Sequence, residues 1–166
     1  MELNCSAIQK RYSCRLFDDT KEVPLCKIEQ LIYAASLAPS GKNLQPWKFK
    51  IVKDKKFGDF LSELLPNNGW IKNHEQFICA FLDADLSYNK IKDCMSIAAA
   101  IENLLIEAAS CDINTCWIGE CTQYCNETSA FFQIDSIHQL VAIIAVGYAK
   151  RKVPVKRKKS LQDIII

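Results

Sequence analysis

The sequence predicts an α+β chain of three layers, with helices on both faces of a central sheet. Three observations predict it. Apolar runs of strand length, at 47–52, 77–82, 114–118 and 140–148, alternate with segments of helical spacing. Two of those runs, 77–82 and 140–148, are apolar at almost every position, as strands covered on both faces must be. Hydrophobic residues make up 49% of the 166, enough for one sizeable core. The expectation is a single domain over 1–166, with 150–166 as a tail.

In chain order, residues 2–10 read as a short helix with Leu3, Ala7 and Ile8 on one face. In Arg11-Tyr12-Ser13-Cys14-Arg15 an extended backbone puts Arg11, Ser13 and Arg15 on one side. Two guanidinium groups flanking a hydroxyl make a cradle for a phosphate or a polarised ring edge. The same two arginines could equally serve as surface ion-pair partners. Residues 18–23 are a polar turn. Pro24 opens a helix at a position where its missing N–H costs little, and Leu25, Ile28, Leu31, Ile32 and Ala35 share one face of it. Pro39 disfavours the helical conformation at Ala38, so the helix stops near Leu37.

Residues 38–47, Ala-Pro-Ser-Gly-Lys-Asn-Leu-Gln-Pro-Trp, form the loop around which the chain is organised. Proline fixes φ and Gly41 accepts positive φ, so the backbone is expected to bend in one defined way. Ser40, Asn43 and Gln45 place hydroxyl and amide groups on the bend, which suits a planar polar ligand. An ordinary helix-to-strand connection is the plainer reading. Beyond it, Trp47, Phe49 and Ile51 alternate with Lys48 and Lys50 as in a half-buried strand.

Phe57, Phe60, Leu61, Leu64 and Leu65 recur at helical spacing, and 66–69 (Pro-Asn-Asn-Gly) end that helix. Residues 83–92 read as a polar connection, and 93–111 as the longest helix. Ile97, Ile101, Leu104, Leu105 and Ala108 fill its apolar stripe. Glu102 and Asn103 sit among apolar neighbours, either as a surface face or on a helix packed against its copy in a dimer. Strand 114–118 ends at Gly119, where the absent side chain would let backbone groups approach a ligand. Residues 127–132 are a short helix and 140–148 the most apolar strand.

The formal charge of +2 hides an asymmetry: of 21 bases and 19 acids, seven bases and one acid fall in 150–166. A mildly acidic body thus carries a basic tail, which is expected to meet an anion. Leu161, Ile164, Ile165 and Ile166 follow those bases, and burial on a partner subunit would relieve their exposure. No apolar run reaches about 18 residues and no leader pattern opens the chain, so the expected location is cytoplasmic. There the nine cysteines would be reduced. They include no C-x2-C pair, and small buried thiols account for them better than a metal site does.

Together, R-x-S-x-R at 11–15, P-S-x-x-N-x-Q-P-W at 39–47, an Ala-rich helix containing Asn103 that leads into T-C-W-I-G at 115–119, and the basic tail resemble the nitroreductase family of flavin enzymes. The resemblance covers nearly the whole chain. It implies a three-layer α/β/α sandwich with a central mixed sheet, and a homodimer that binds FMN at the subunit interface and exchanges its C-terminal segments. Arg11, Ser13 and Arg15 would hold the phosphate and the pyrimidine edge. Pro39, Ser40, Gly41 and Asn43 would reach the same flavin from the other subunit. Ile118 and Gly119 would present backbone groups to its reactive edge, and Lys156 and Lys158, or Arg157, would complete the phosphate site. The expected partners therefore include neither nucleic acid nor membrane.

The implied activity is transfer of reducing equivalents from NAD(P)H to a nitroaromatic, quinone or related small acceptor, in ping-pong order. It needs no acid–base pair from the protein, and His74 and His138 read as structural. Arg15 is the candidate for stabilising the anionic reduced flavin. A flavin-binding carrier or sensor with little turnover is the alternative. The chain also departs from the family. Residues 83–92 leave no room for the helical insertion that shapes the pocket of larger members. Gly41 replaces the second serine of the usual pair, and Cys94 stands where a smaller residue is usual.

Overall fold

The computed structural model describes residues 4–151, 153 and 159–166. The elements run α1 (Ser6–Lys10), α2 (Leu25–Ser36), β1 (Trp47–Lys53), α3 (Lys55–Leu64), β2 (Gln76–Asp83), α4 (Lys90–Ser110), β3 (Asn114–Ile118), α5 (Cys125–Phe132) and β4 (His138–Gly147). Short 3-10 turns lie at Gly41–Asn43, Pro66–Ile71, Ala84–Leu86 and Glu120–Tyr124.

The four strands form one sheet in the order β1-β2-β4-β3, and every neighbouring pair is antiparallel. The expected mixed sheet is corrected here. Among the described residues the only parallel pairing is the bridge between Ser13 and Thr115. The connections explain it. α3 leaves β1 and brings the chain back to the same end of the sheet, where the Asp54 N–H donates to the Glu75 carbonyl at 2.9 Å. α5 does the same between β3 and β4. Only α4, whose 21 residues span about 32 Å, crosses the full length of the sheet. The two strands it joins, β2 and β3, do run in the same direction, but β4 lies between them.

β2 is buried at every position, and its alternate side chains feed two clusters. Ile78, Ala80 and Leu82 pack with Ile28, Leu31 and Ala35 of α2 and with Ile97, Ala100, Ile101, Leu104 and Ala108 of α4. Phe77, Cys79 and Phe81 pack on the opposite face with Phe57 and Leu61 of α3 and, through partly buried Phe131 and Phe132, with α5. Gly58 lets α3 press onto the chain at 71–74. A Cβ there would run into the His74 carbonyl oxygen and come within 3.1 Å of the Ile71 oxygen.

α4 starts one turn earlier than the polarity of 83–92 suggests. Asn89 caps it, its side chain accepting the Lys92 N–H at 3.1 Å. Asp93, fully buried, gathers the loop before the helix. Its Oδ2 accepts the Ser87 hydroxyl at 2.8 Å, the Tyr88 N–H at 3.0 Å and the Asn89 N–H at 2.9 Å. Glu102 and Asn103 both find partners within the chain. Glu102 lies 3.5 Å from Arg11, and the Asn103 amide donates to the Ala34 carbonyl of α2 at 3.4 Å.

His74 is a core group, as expected. It is 8% exposed, its Nε2 lies 3.0 Å from the Gln76 carbonyl, and its ring lies 4.5 Å from Phe17 and 4.9 Å from Phe77. Burial pushes its pKa below the ordinary imidazole value. The unfolded chain therefore binds the proton more readily. The stability this confers is complete above the unfolded value near 6.5 and is lost as pH falls toward the folded one. Urea titrations are expected to show lower stability at about pH 5 than at about pH 8, with a slope of at most about 1.4 kcal/mol per unit. His74→Gln is expected to flatten that dependence.

Candidate functional site

The first piece of the site is the segment 11–15. Its bridge to Thr115, with the Cys14 N–H donating to the Thr115 carbonyl at 2.9 Å, holds it against the outer edge of β3. The expected alternation is present: Ser13 and Arg15 are exposed, whereas Cys14 is buried. Arg11 is the more enclosed arginine because it leans on Glu102. Burial pushes the Cys14 thiol up, so it is a core group rather than a nucleophile.

Ile118 and Gly119 form the second piece, at the end of that same strand. Because the bridge at Ser13 is parallel, Arg15 and Gly119 lie toward the same end of the sheet edge. Ile118 is buried while Gly119 is exposed, and a Cβ at Gly119 would meet nothing within 4 Å. Glycine is not required there by conformation, since φ is −76°. What it leaves is open space in front of the strand end.

The loop 39–45 is the third piece. Here the sequence-based account of its shape is corrected. No described glycine has positive φ; Lys42 (55°), Asn43 (54°) and Gln45 (51°) carry the left-handed bends instead. The Ser40 hydroxyl oxygen accepts the Gln45 N–H at 2.9 Å, and the Gln45 amide donates to Asn43 Oδ1 at 3.3 Å, so the loop's own polar groups stabilise its form. Gly41 is glycine for another reason. A Cβ there would collide with the Tyr88 hydroxyl and lie 2.6 Å from a ring carbon.

Within one chain these pieces do not all meet. Segment 11–15 and residues 118–119 share one edge of the sheet. Loop 39–45 leads into β1, the opposite edge strand. From the register, the start of β1 and the end of β3 lie toward the same end of the sheet, about three strand spacings or 14 Å apart across the strands and offset by a further roughly 10–13 Å along them. Lys156, Arg157 and Lys158 lie outside the described residues.

Sequence reasoning passed over two residues beside Gly119. The Asn68 amide donates to Glu120 Oε2 at 2.7 Å and its Oδ1 accepts the Trp70 indole N–H at 3.2 Å. This pair ties the Pro66–Ile71 turn to the end of β3. The asparagines of the turn at 66–69 offered a signal, but nothing in the sequence linked them to residue 120.

The cysteines divide by burial. Cys14, Cys79, Cys116 and Cys121 are buried, and all nine are free thiols. Burial pushes Cys116 up to about 11 and Cys121 to about 12. The remaining five are exposed or half-buried, so the reading of them as buried thiols holds for four of the nine.

A model of the nitroreductase family matches residues 8–79 and 62–148. The curated protein named "Putative NADH dehydrogenase/NAD(P)H nitroreductase" from Archaeoglobus fulgidus is 33% identical over 123 residues, 72% of this chain and 68% of that one. A protein of the same name from Methanothermobacter thermautotrophicus is 30% identical over 116 residues, 68% of this chain and 59% of that one. Among solved structures, a "putative nitroreductase in complex with FMN" from Desulfovibrio desulfuricans superposes with a TM-score of 0.90. It is 25% identical, and the match covers 100% of this chain and 97% of that one. A "Putative NADH dehydrogenase/NAD(P)H nitroreductase" from Parabacteroides distasonis gives 0.87 at 29% identity, over 97% and 95% of the two chains.

Proposed function

Because this chain belongs to the nitroreductase family, we propose that it is an FMN-dependent oxidoreductase. It would pass reducing equivalents from NAD(P)H to a nitroaromatic, quinone or related small acceptor. The observation that carries the proposal is the split of the candidate site. The arginine–serine edge and the open end of β3 stand on one side of the sheet, and the Ser40–Asn43 loop on the other. Two copies facing each other would bring one copy's edge to the other's loop. The residues present suit FMN: two guanidinium groups and a hydroxyl for its phosphate and pyrimidine edge, a glycine that leaves space, and a rigid amide-bearing loop.

Exposed apolar side chains support a homodimer. Ile91 and Met95 of α4 are 74% and 67% exposed, and Tyr33 and Leu37 at α2 are similarly open. Ile164 and Ile165 are also exposed, and laying the C-terminal segment on a partner subunit would cover them. With that segment in place we read each subunit as a single domain of three layers. Lys156 and Lys158 would then approach the phosphate.

FMN, when bound, supplies the hydride and electron chemistry, and ping-pong order follows if donor and acceptor share one face. The chain's part is to hold the cofactor, to place the Ile118–Gly119 backbone at its edge and to set positive charge near it. No helix of the described residues is long and apolar enough to cross a membrane. We read the compartment as cytoplasmic, where nine free thiols are stable.

The test is purification followed by addition of FMN. The expected result is a yellow dimer whose melting temperature rises with FMN concentration and which oxidises NAD(P)H when a quinone or nitroaromatic is added. Bound FMN without turnover would favour a carrier or sensor. A colourless monomer indifferent to FMN would overturn the reading.

A further inference from the structure

Tyr88 lies in the short connection between β2 and α4, and two lysines converge on its ring. Lys42 Nζ is 4.8 Å from the ring centroid and Lys92 Nζ is 5.8 Å from it. Neither lysine has a carboxylate within 4.0 Å among the described residues. The arrangement is anchored at both ends. The backbone of Tyr88 is held by the fully buried Asp93, and its ring closes over Gly41, next to Lys42. Tyr88 is 38% exposed, so this edge of the loop is open.

Each ammonium group is attracted by the π system of the ring, and the two centroid distances put both charges within about 11 Å of each other. An anion at this edge of the loop would gain from the positive potential of both. A residue with a left-handed backbone, Lys42 at φ 55°, carries one of the charges, so the loop's bend aims it.

We propose that Lys42, Lys92 and the Tyr88 ring that holds them select an anionic aromatic substrate at the mouth of the site. Lys42 lies between Gly41 and Asn43, both assigned above to the cofactor loop, so the charge pair borders the place where an acceptor would enter. The inference rests on the oxidoreductase reading for its setting. The acceptor class it names is a nitroaromatic or quinone bearing a carboxylate, preferred over its neutral counterpart. Tyr88 acts as a positioning residue: it fixes two flexible side chains in advance and so lowers the ordering cost of binding.

The experiment compares para-nitrobenzoate with para-nitrobenzamide, which differ in charge and little in shape. In the FMN-loaded protein, kcat/KM is expected to favour the benzoate, and the preference to shrink as salt rises. The Lys42→Ala, Lys92→Ala double variant is expected to reduce the benzoate-to-benzamide ratio about five- to tenfold. Tyr88→Ala is expected to reduce it partly, and Tyr88→Phe to restore it, because the ring and not the hydroxyl holds the lysines. Isothermal titration of the two compounds into the purified protein gives the same ratio without turnover. A benzoate preference in titration with no NAD(P)H oxidation would sink the oxidoreductase reading and leave the charge site standing. Equal affinity for the two compounds, or a ratio the double variant does not change, would overturn the charge site whatever the activity.

Discussion

Phe57→Ala is expected to lower the unfolding free energy by about 3–5 kcal/mol. Phe57 is fully buried and its ring is surrounded by others: Phe132 at 4.6 Å, Phe77 edge-on at 5.3 Å, Phe131 at 5.3 Å and Phe60 at 6.1 Å. These rings come from α3, β2 and α5, so one truncation loosens three elements at once. They cannot collapse freely into the space, because Gly58 already brings α3 against the backbone at 71–74. With a native margin of about 5–15 kcal/mol, such a loss takes away a large share of the total. Thermal or urea unfolding would measure it, with a drop in melting temperature of about 10 °C. Phe57→Leu, which keeps most of the volume, is expected to lose about 1–2 kcal/mol. Equal losses for the two variants would mean that the aromatic ring contacts, which both remove, account for the whole effect and the volume leucine retains for none of it. The same face of the sheet holds Cys116, Ile118 and Cys121, so this cluster also supports the strand end that carries Gly119.

Which parts of this architecture could be read in advance follows from the range of the interactions. The bounds of β3 are legible in the sequence because its limits are local: Asn114 at one end and Gly119 just past the other. The apolar faces of α2 and α4 follow from spacing alone. The direction of the strands does not. β-helix-β patterning fits a parallel or an antiparallel pair, and only the return of α3 and α5 to their starting end decides between them. The polarity of 83–92 hides the start of α4 by one turn, because Asn89 reads as part of the connection and yet caps the helix.

The site shows the same division. The alternation that exposes Ser13 and Arg15 needs only an extended backbone, and the sequence carries it. The need for glycine at 41 comes from Tyr88, 47 residues away, and no local rule connects them. Steric grounds alone place positive φ on glycine. In the folded chain the hydrogen bonds of Ser40, Asn43 and Gln45 offset the cost of placing Lys42, Asn43 and Gln45 there.

Arg15→Ala is expected to weaken FMN binding about thirtyfold, which corresponds to the loss of roughly 2 kcal/mol in one charge-assisted contact. Arg15 is exposed and has no carboxylate within 4.0 Å among the described residues, so its removal is expected to leave the melting temperature of the cofactor-free protein unchanged. Arg11→Ala makes the contrast. Arg11 also pairs with Glu102 on α4, so that variant is expected to lose FMN affinity and a little intrinsic stability together. Comparing the two separates a binding role from a packing role. Arg15→Lys is expected to recover only part of the affinity, since an ammonium keeps the charge but not the two-pronged geometry. The charge also bears on redox chemistry. A cation beside the flavin's pyrimidine edge favours the negatively charged reduced form, so Arg15→Ala is expected to lower the midpoint potential of the bound cofactor and slow its reduction. Titration of FMN against each variant, followed by a spectroscopic redox titration at saturating FMN, measures both effects. If Arg15→Ala binds FMN as tightly as the parent protein and shows the same potential, the arginine edge does not hold the cofactor, and the split site loses its first half.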